Sequence, residues 1–110
     1  MAEDAPGIVN LDREDIKKGL ADGSILLVDV REPNEYAAGH IPGAVLFPLS
    51  TFDASRLPDP GGRRLVFSCR SGKRSQTAIA KAREAGLPYR EHYAGGILDW
   101  IEADEPVEQG

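Results

Sequence analysis

Leu65-Val66-Phe67-Ser68-Cys69-Arg70-Ser71-Gly72-Lys73-Arg74-Ser75-Gln76-Thr77 joins an apolar run to a helical pattern through a short polar loop. The apolar run Leu65 to Phe67 has the character of a buried strand, and the single cysteine of the chain stands where that strand stops. From Gln76 onward the pattern turns helical, because Ala78, Ile79, Ala82 and Ala85 recur at spacings of three and four and line one face. Cys69 therefore belongs to a strand-loop-helix turn. Backbone N–H groups in such a loop point inward, with the positive end of the helix dipole behind them, and together they form a nest for an anion. A thiolate at the rim of that nest is stabilised over the thiol, which draws a cysteine from about 8.5 toward the range of about 3.5–7.5 found for activated thiols. Arg70, Lys73 and Arg74 add positive charge to the same loop, Gly72 can adopt a left-handed turn, and Ser75 is placed to cap the helix or to bond the sulfur.

Outward from this turn, the chain alternates short apolar runs with helical patterns, which predicts an α/β layer structure around a mainly parallel sheet of four to five strands. Ile8-Val9 reads as a short strand. Asp12 reads as a helix N-cap, with Leu11 and Ile16 as a hydrophobic staple and Gly23 as the stop. Ile25 to Val30 is nearly continuous apolar sequence, as expected of a strand covered on both faces. Asp29 interrupts that run, and a carboxylate there needs a partner such as Arg31 or loop backbone. Glu32-Pro33 opens a short helix that Gly39 closes, and His40 to Gly43 turns into a strand from Ala44 to Phe47. His40 precedes a turn rather than standing in the nest, which favours a structural role. Ser50 to Leu57 predicts a short helix, and Pro58 to Gly62 a loop. Tyr89 to Tyr93 alternates like an edge strand with one exposed face, and His92 within it carries no assigned chemistry. Ile97, Leu98, Ile101 and Trp100 predict an apolar cluster on a last short helix, the indole acting as a packing anchor.

With 110 residues the chain holds one core. The reading divides it into a flexible N-terminus over 1–7, one domain over 8–104 and a solvated acidic tail over 105–110. A formal net charge of −5 argues against general binding to nucleic acid or anionic membrane, which attract basic surfaces. One cysteine permits no intramolecular disulfide, and with only His40 and His92 to join it the chain offers too few ligands for zinc, so no metal or cofactor is expected. A free thiol suits a reducing compartment. The opening residues MAEDAPG lack the features of a signal peptide, and no apolar run approaches the roughly 18 residues of a membrane span, so the expectation is a cytoplasmic protein.

The run CRSGKRS, from Cys69 to Ser75, resembles the active-site loop of the rhodanese (sulfurtransferase) family, in which the cysteine carries a persulfide. DVREPNEYAAGHIPGA, from Asp29 to Ala44, is similar to that family's N-terminal signature, and AGGILDW, from Ala94 to Trp100, to its C-terminal one. The three matches fall in the family's order and span nearly the whole chain. The resemblance implies a three-layer α/β/α rhodanese-like fold, a structural Asp29-Val30-Arg31 step, and Cys69 as the catalytic residue. It also implies a substrate loop of Arg70, Ser71, Gly72, Lys73, Arg74 and Ser75. The reaction implied is transfer of a sulfane sulfur from a small anionic donor such as thiosulfate to cyanide, a thiol or a protein, with the positive loop side chains drawing in the donor. Two alternatives stand beside it. A persulfide carrier or interaction module would show little turnover on small molecules. A phosphatase or arsenate reductase would need Cys-x5-Arg, whereas here the sixth residue after Cys69 is Ser75 and Arg74 comes one step early.

Overall fold

The computed structural model describes residues 7–110, so the expected flexible segment falls, apart from Gly7, outside the described residues. Five strands form one sheet: β1 (Val9–Leu11), β2 (Ile25–Asp29), β3 (Val45–Leu46), β4 (Arg64–Ser68) and β5 (Glu91–Tyr93). Their order is β1-β5-β4-β2-β3, and every strand pairing is parallel. Among the described residues three helices link the strands, α1 (Arg13–Asp22), α2 (Pro33–Ala38) and α3 (Lys73–Glu84), and a fourth, α4 (Gly96–Glu102), follows β5.

Alternation along the strands divides the core between the two faces of the sheet. Ile25 and Leu27 of β2 and Val66 of β4 turn to one side, where they pack with Ile16 of α1 and Ile97 and Trp100 of α4. Leu26, Val28, Leu65 and Phe67 turn to the other, against Ala78, Ile79 and Ala82 of α3. Cys69, two residues beyond Phe67, lies on this second face. β2 and β4 are buried on both sides, which accounts for the apolar runs Ile25 to Val28 and Leu65 to Phe67.

Local signals explain most of the boundaries. Asp12 accepts from the Asp15 N–H at 2.9 Å while Asp15 accepts from the Asp12 N–H at 3.0 Å, a reciprocal cap that starts α1. Asp29 meets Arg31 in a buried pair, with the guanidinium Nη2 at 2.8 Å from Oδ2 and also donating to the Gly39 carbonyl at 2.8 Å. That pair ties the end of β2 to the end of α2.

Several expectations are corrected. β5 is no edge: it sits between β1 and β4, and His92 and Tyr93 are both buried. The edges are β1 and β3. The segment expected as a helix over Ser50 to Leu57 forms two single 3-10 turns, Leu49–Thr51 and Ala54–Arg56, because the Asp53 side chain caps Ser55 and restarts the chain direction. Ile101 is half exposed while Ile97 and Trp100 carry the core contact of α4. The acidic tail is exposed over 106–110 but tethered to the domain. The Trp100 Nε1–H donates to the Pro106 carbonyl at 2.7 Å, Glu108 exchanges backbone bonds with His40 at 2.8 and 2.9 Å, and Glu105 pairs with Lys17 at 3.0 Å.

Candidate active site

β4 delivers Cys69 to the C-terminal edge of the sheet, and α3 starts four residues later. Between them the chain must reverse within three residues, which it does through Gly72 at φ +92°. A Cβ at that position would lie 2.3 Å from the Ala94 carbonyl oxygen, so only glycine lets the loop pass this close to the segment after β5. The helix also begins earlier than its apolar pattern indicates: Gly72 occupies the N-cap position and Ser75 lies inside the first turn, so Ser75 is no cap.

The backbone of the loop is oriented from outside. The Cys69 carbonyl accepts from the Ile97 N–H at 3.0 Å and the Arg70 carbonyl from the Leu98 N–H at 3.1 Å, both in α4. With those carbonyls engaged outward, N–H groups of the loop are left to face the sulfur. The Gly72 N–H donates to Cys69 Sγ at 3.1 Å, and the Ser75 hydroxyl lies 3.6 Å from it. Gly96, at φ +64°, makes this contact possible, since a Cβ there would meet the Arg70 and Cys69 carbonyls at 2.3 and 2.7 Å.

Cys69 is 1% exposed, and burial alone pushes its thiol up. The Ser75 hydroxyl and the N–H groups of Ser75, Ser71 and Gly72 outweigh burial and hold the thiol below its ordinary value. The site therefore stabilises the thiolate relative to a free cysteine, at the floor of a loop whose outer residues, Arg70, Ser71 and Lys73, are exposed. Among the described residues, neither Arg70 nor Lys73 forms a salt bridge. Arg74 does. Its guanidinium grips Glu35 of α2 at 2.7 and 3.0 Å, so it anchors the start of α3 to α2 as well as adding positive potential near the sulfur. The same contact, aided by the Glu32 N–H, holds the Glu35 carboxyl at about 2 despite partial burial.

A model of the rhodanese-like domain matches residues 12–103. The chain belongs to the rhodanese-like family. Among its relatives, a protein of Allochromatium vinosum named sulfurtransferase is 36% identical over 98 residues, the match covering 88% of this chain and 92% of that one. The thiosulfate:glutathione sulfurtransferase of Homo sapiens is 33% identical over 104 residues, covering 82% and 90% of the two chains. The solved structure of the human single-domain sulfurtransferase TSTD1 superposes with a TM-score of 0.71 at 32% identity, covering 84% of this chain and 95% of that one. A further relative, an uncharacterised protein of Synechocystis sp., is 40% identical over 84 residues, and the match spans 47% of its length.

Within this rhodanese domain the loop brings Cys69, Gly72 and Ser75 together and turns Arg70, Ser71 and Lys73 outward. His40 stands apart, stacked on Tyr36 with ring centroids 3.8 Å apart and its Nδ1 3.0 Å from the Tyr36 carbonyl oxygen. Three residues joined to the loop through Arg74 and Ser75 have no role assigned from the sequence. Glu35 is 39 residues from Arg74 in the chain. Asn10 is the one polar residue of β1, and that interruption is its only legible signal, whereas His92 stands among the polar residues Arg90 and Glu91 and has none. No cluster of three or more His, Cys, Asp or Glu side chains able to hold a metal occurs among the described residues, and none of their helices is long and apolar enough to cross a membrane.

Proposed function

We propose that this rhodanese domain is a sulfurtransferase that carries a sulfane sulfur as a persulfide on Cys69. The observation that carries the reading is the Gly72 N–H held 3.1 Å from Sγ in a loop whose carbonyls are tied back to α4. In the first step the Cys69 thiolate attacks the outer sulfur of an anionic donor such as thiosulfate. A new S–S bond forms, the donor's own S–S bond breaks, and sulfite leaves with the electron pair. The product is the Cys69–S–S⁻ anion. The N–H donors that stabilise the thiolate suit this anion too, in the manner of an oxyanion hole. In the second step a thiophilic acceptor, whether cyanide, a small thiol or a protein thiolate, attacks the outer sulfur and returns Cys69 as thiolate. Arg70 and Lys73 are the cations placed to attract the donor. Thiosulfate as donor and a thiol as acceptor also match the name of the human relative.

The test is intact-mass measurement after exposure to thiosulfate. The wild-type chain gains the mass of one sulfur, cyanide removes it, and Cys69→Ala never gains it. A wild-type chain that stays unmodified refutes the assignment. Turnover on cyanide and small thiols, compared with transfer to proteins, separates an enzyme from a persulfide carrier. Hydrolysis of aryl phosphates is expected to be negligible, because the loop lacks the arginine that grips two phosphate oxygens six residues after the cysteine.

A further inference from the structure

A continuous line of hydrogen bonds leads away from the sulfur through Ser75 to His92 and Asn10, two residues the sulfur-transfer steps do not use. Cys69 Sγ lies 3.6 Å from Ser75 Oγ, Ser75 Oγ lies 2.7 Å from His92 Nδ1, and His92 Nε2 lies 2.7 Å from Asn10 Oδ1. Ser75 and His92 are fully buried, whereas Asn10 is exposed and lines a cleft with Arg13, Tyr93 and Asp99. The sheet register makes the line possible: Asn10 pairs with His92 across β1 and β5, and Phe67 with His92 across β5 and β4. Cys69 follows two residues after Phe67 on the same face.

With the Asn10 oxygen facing the ring, the direction of the line follows. Asn10 Oδ1 only accepts, so His92 Nε2 carries the ring proton and Nδ1 presents a lone pair. The Ser75 O–H donates to that lone pair, which leaves the Ser75 oxygen free to accept from the Cys69 thiol. A thiolate reverses the demand. Sγ⁻ requires the Ser75 O–H for itself, and the Ser75 oxygen then needs a donor, which Nδ1 supplies only when protonated.

We propose that His92, acting through the Ser75 hydroxyl, is the internal acceptor of the Cys69 proton, with Asn10 holding the imidazole in the tautomer able to receive it. The Cys69 S–H bond breaks as its proton passes to Ser75 Oγ, and the Ser75 proton passes to His92 Nδ1. No electrons are exchanged, and the pair stays neutral overall as thiolate and imidazolium. His92 and Asn10 are thus positioning residues for the nucleophile. The groups facing His92 are Asn10 from β1, Phe67 from β4 and Ser75 from α3, none of them charged, and burial pushes its ring below the usual value, a cost to the imidazolium that the adjacent thiolate has to offset. Arg74 is the charged group that acts on the sulfur from α3, and it is paired with Glu35.

The test reads thiolate directly and needs no sulfur donor, so it is independent of the sulfurtransferase reading. Thiolate ultraviolet absorbance of the full chain is titrated with pH, using Cys69→Ala as the blank. The wild type is expected to show two coupled steps with a plateau of thiolate between them. His92→Phe, which keeps an aromatic ring and removes the acceptor, is expected to abolish the plateau, leave one step at higher pH and lower the thiolate fraction about tenfold at about pH 6. Asn10→Asp is the second arm, at an exposed site with no change in volume. Through the relay its carboxylate stabilises the imidazolium and raises the plateau, whereas a merely electrostatic effect on a lone thiolate would lower it. An unchanged profile in His92→Phe, or a lowered plateau in Asn10→Asp, overturns the proposal, and Asn10→Asp alone decides it if His92→Phe fails to fold.

Discussion

Replacing Glu35 by Gln removes the charge that Arg74 grips while keeping the volume of the side chain and an oxygen to accept from the Glu32 N–H. The carboxyl falls from its ordinary 4.5 to about 2 in the folded protein. At about 1.4 kcal/mol per tenfold change in acidity, that sets a ceiling of roughly 3 kcal/mol on what ionised Glu35 adds to stability. The two side chains are 27% and 33% exposed, so solvent screens the pair, and the expected loss in Glu35→Gln at neutral pH is about 1–2 kcal/mol. The pH dependence follows from the sign. A carboxyl depressed in the folded state stabilises fully above its unfolded value, and that contribution fades as pH falls through the folded one. Urea unfolding of wild type and variant should therefore differ by a constant amount down to about pH 4.5 and by less than half of it at about pH 3. No difference at neutral pH, or one that ignores acid, would refute the account of Arg74 as an anchor between α3 and α2.

Gly72→Ala places a Cβ 2.3 Å from a backbone oxygen at a left-handed φ. The combined cost is about 2–5 kcal/mol in urea unfolding, and the variant should lose sulfur loading although Cys69 is intact. His40→Ala is expected to lower stability by about 1–3 kcal/mol, through the lost stacking and hydrogen bond, while the rate of sulfur loading stays within about twofold of wild type. A folded His40→Ala chain that no longer loads sulfur would show that the ring belongs to the chemistry.

The parts of this molecule legible in its sequence are those set by neighbours in the chain. Ile25 to Asp29 and Leu65 to Ser68 are buried on both faces and read so, and the loop from Cys69 to Ser75 carries its glycine, its cations and its nucleophile within seven positions. What stayed illegible depends on residues brought together from afar. A three-residue strand such as β5 has too few positions for alternation to report burial, and its central place comes from β1 and β4 closing on it. His92 reaches Ser75 only through its register with Phe67, 25 residues away in the chain. Arg74 looked like a substrate cation because Glu35, its partner, belongs to a different helix. The tail is exposed, and its tethering is illegible because backbone groups, not its acidic side chains, make most of the contacts that hold it.

Tethering the Cys69 and Arg70 carbonyls to Ile97 and Leu98 makes the polarity inside the nucleophile's loop a property of α4. Should the first turn of that helix fray, those two carbonyls would be freed to swing inward and would repel any anion, whether sulfur-laden or empty. The nucleophile can thus be silenced without touching it, from a seven-residue helix that has no side chain in the reaction.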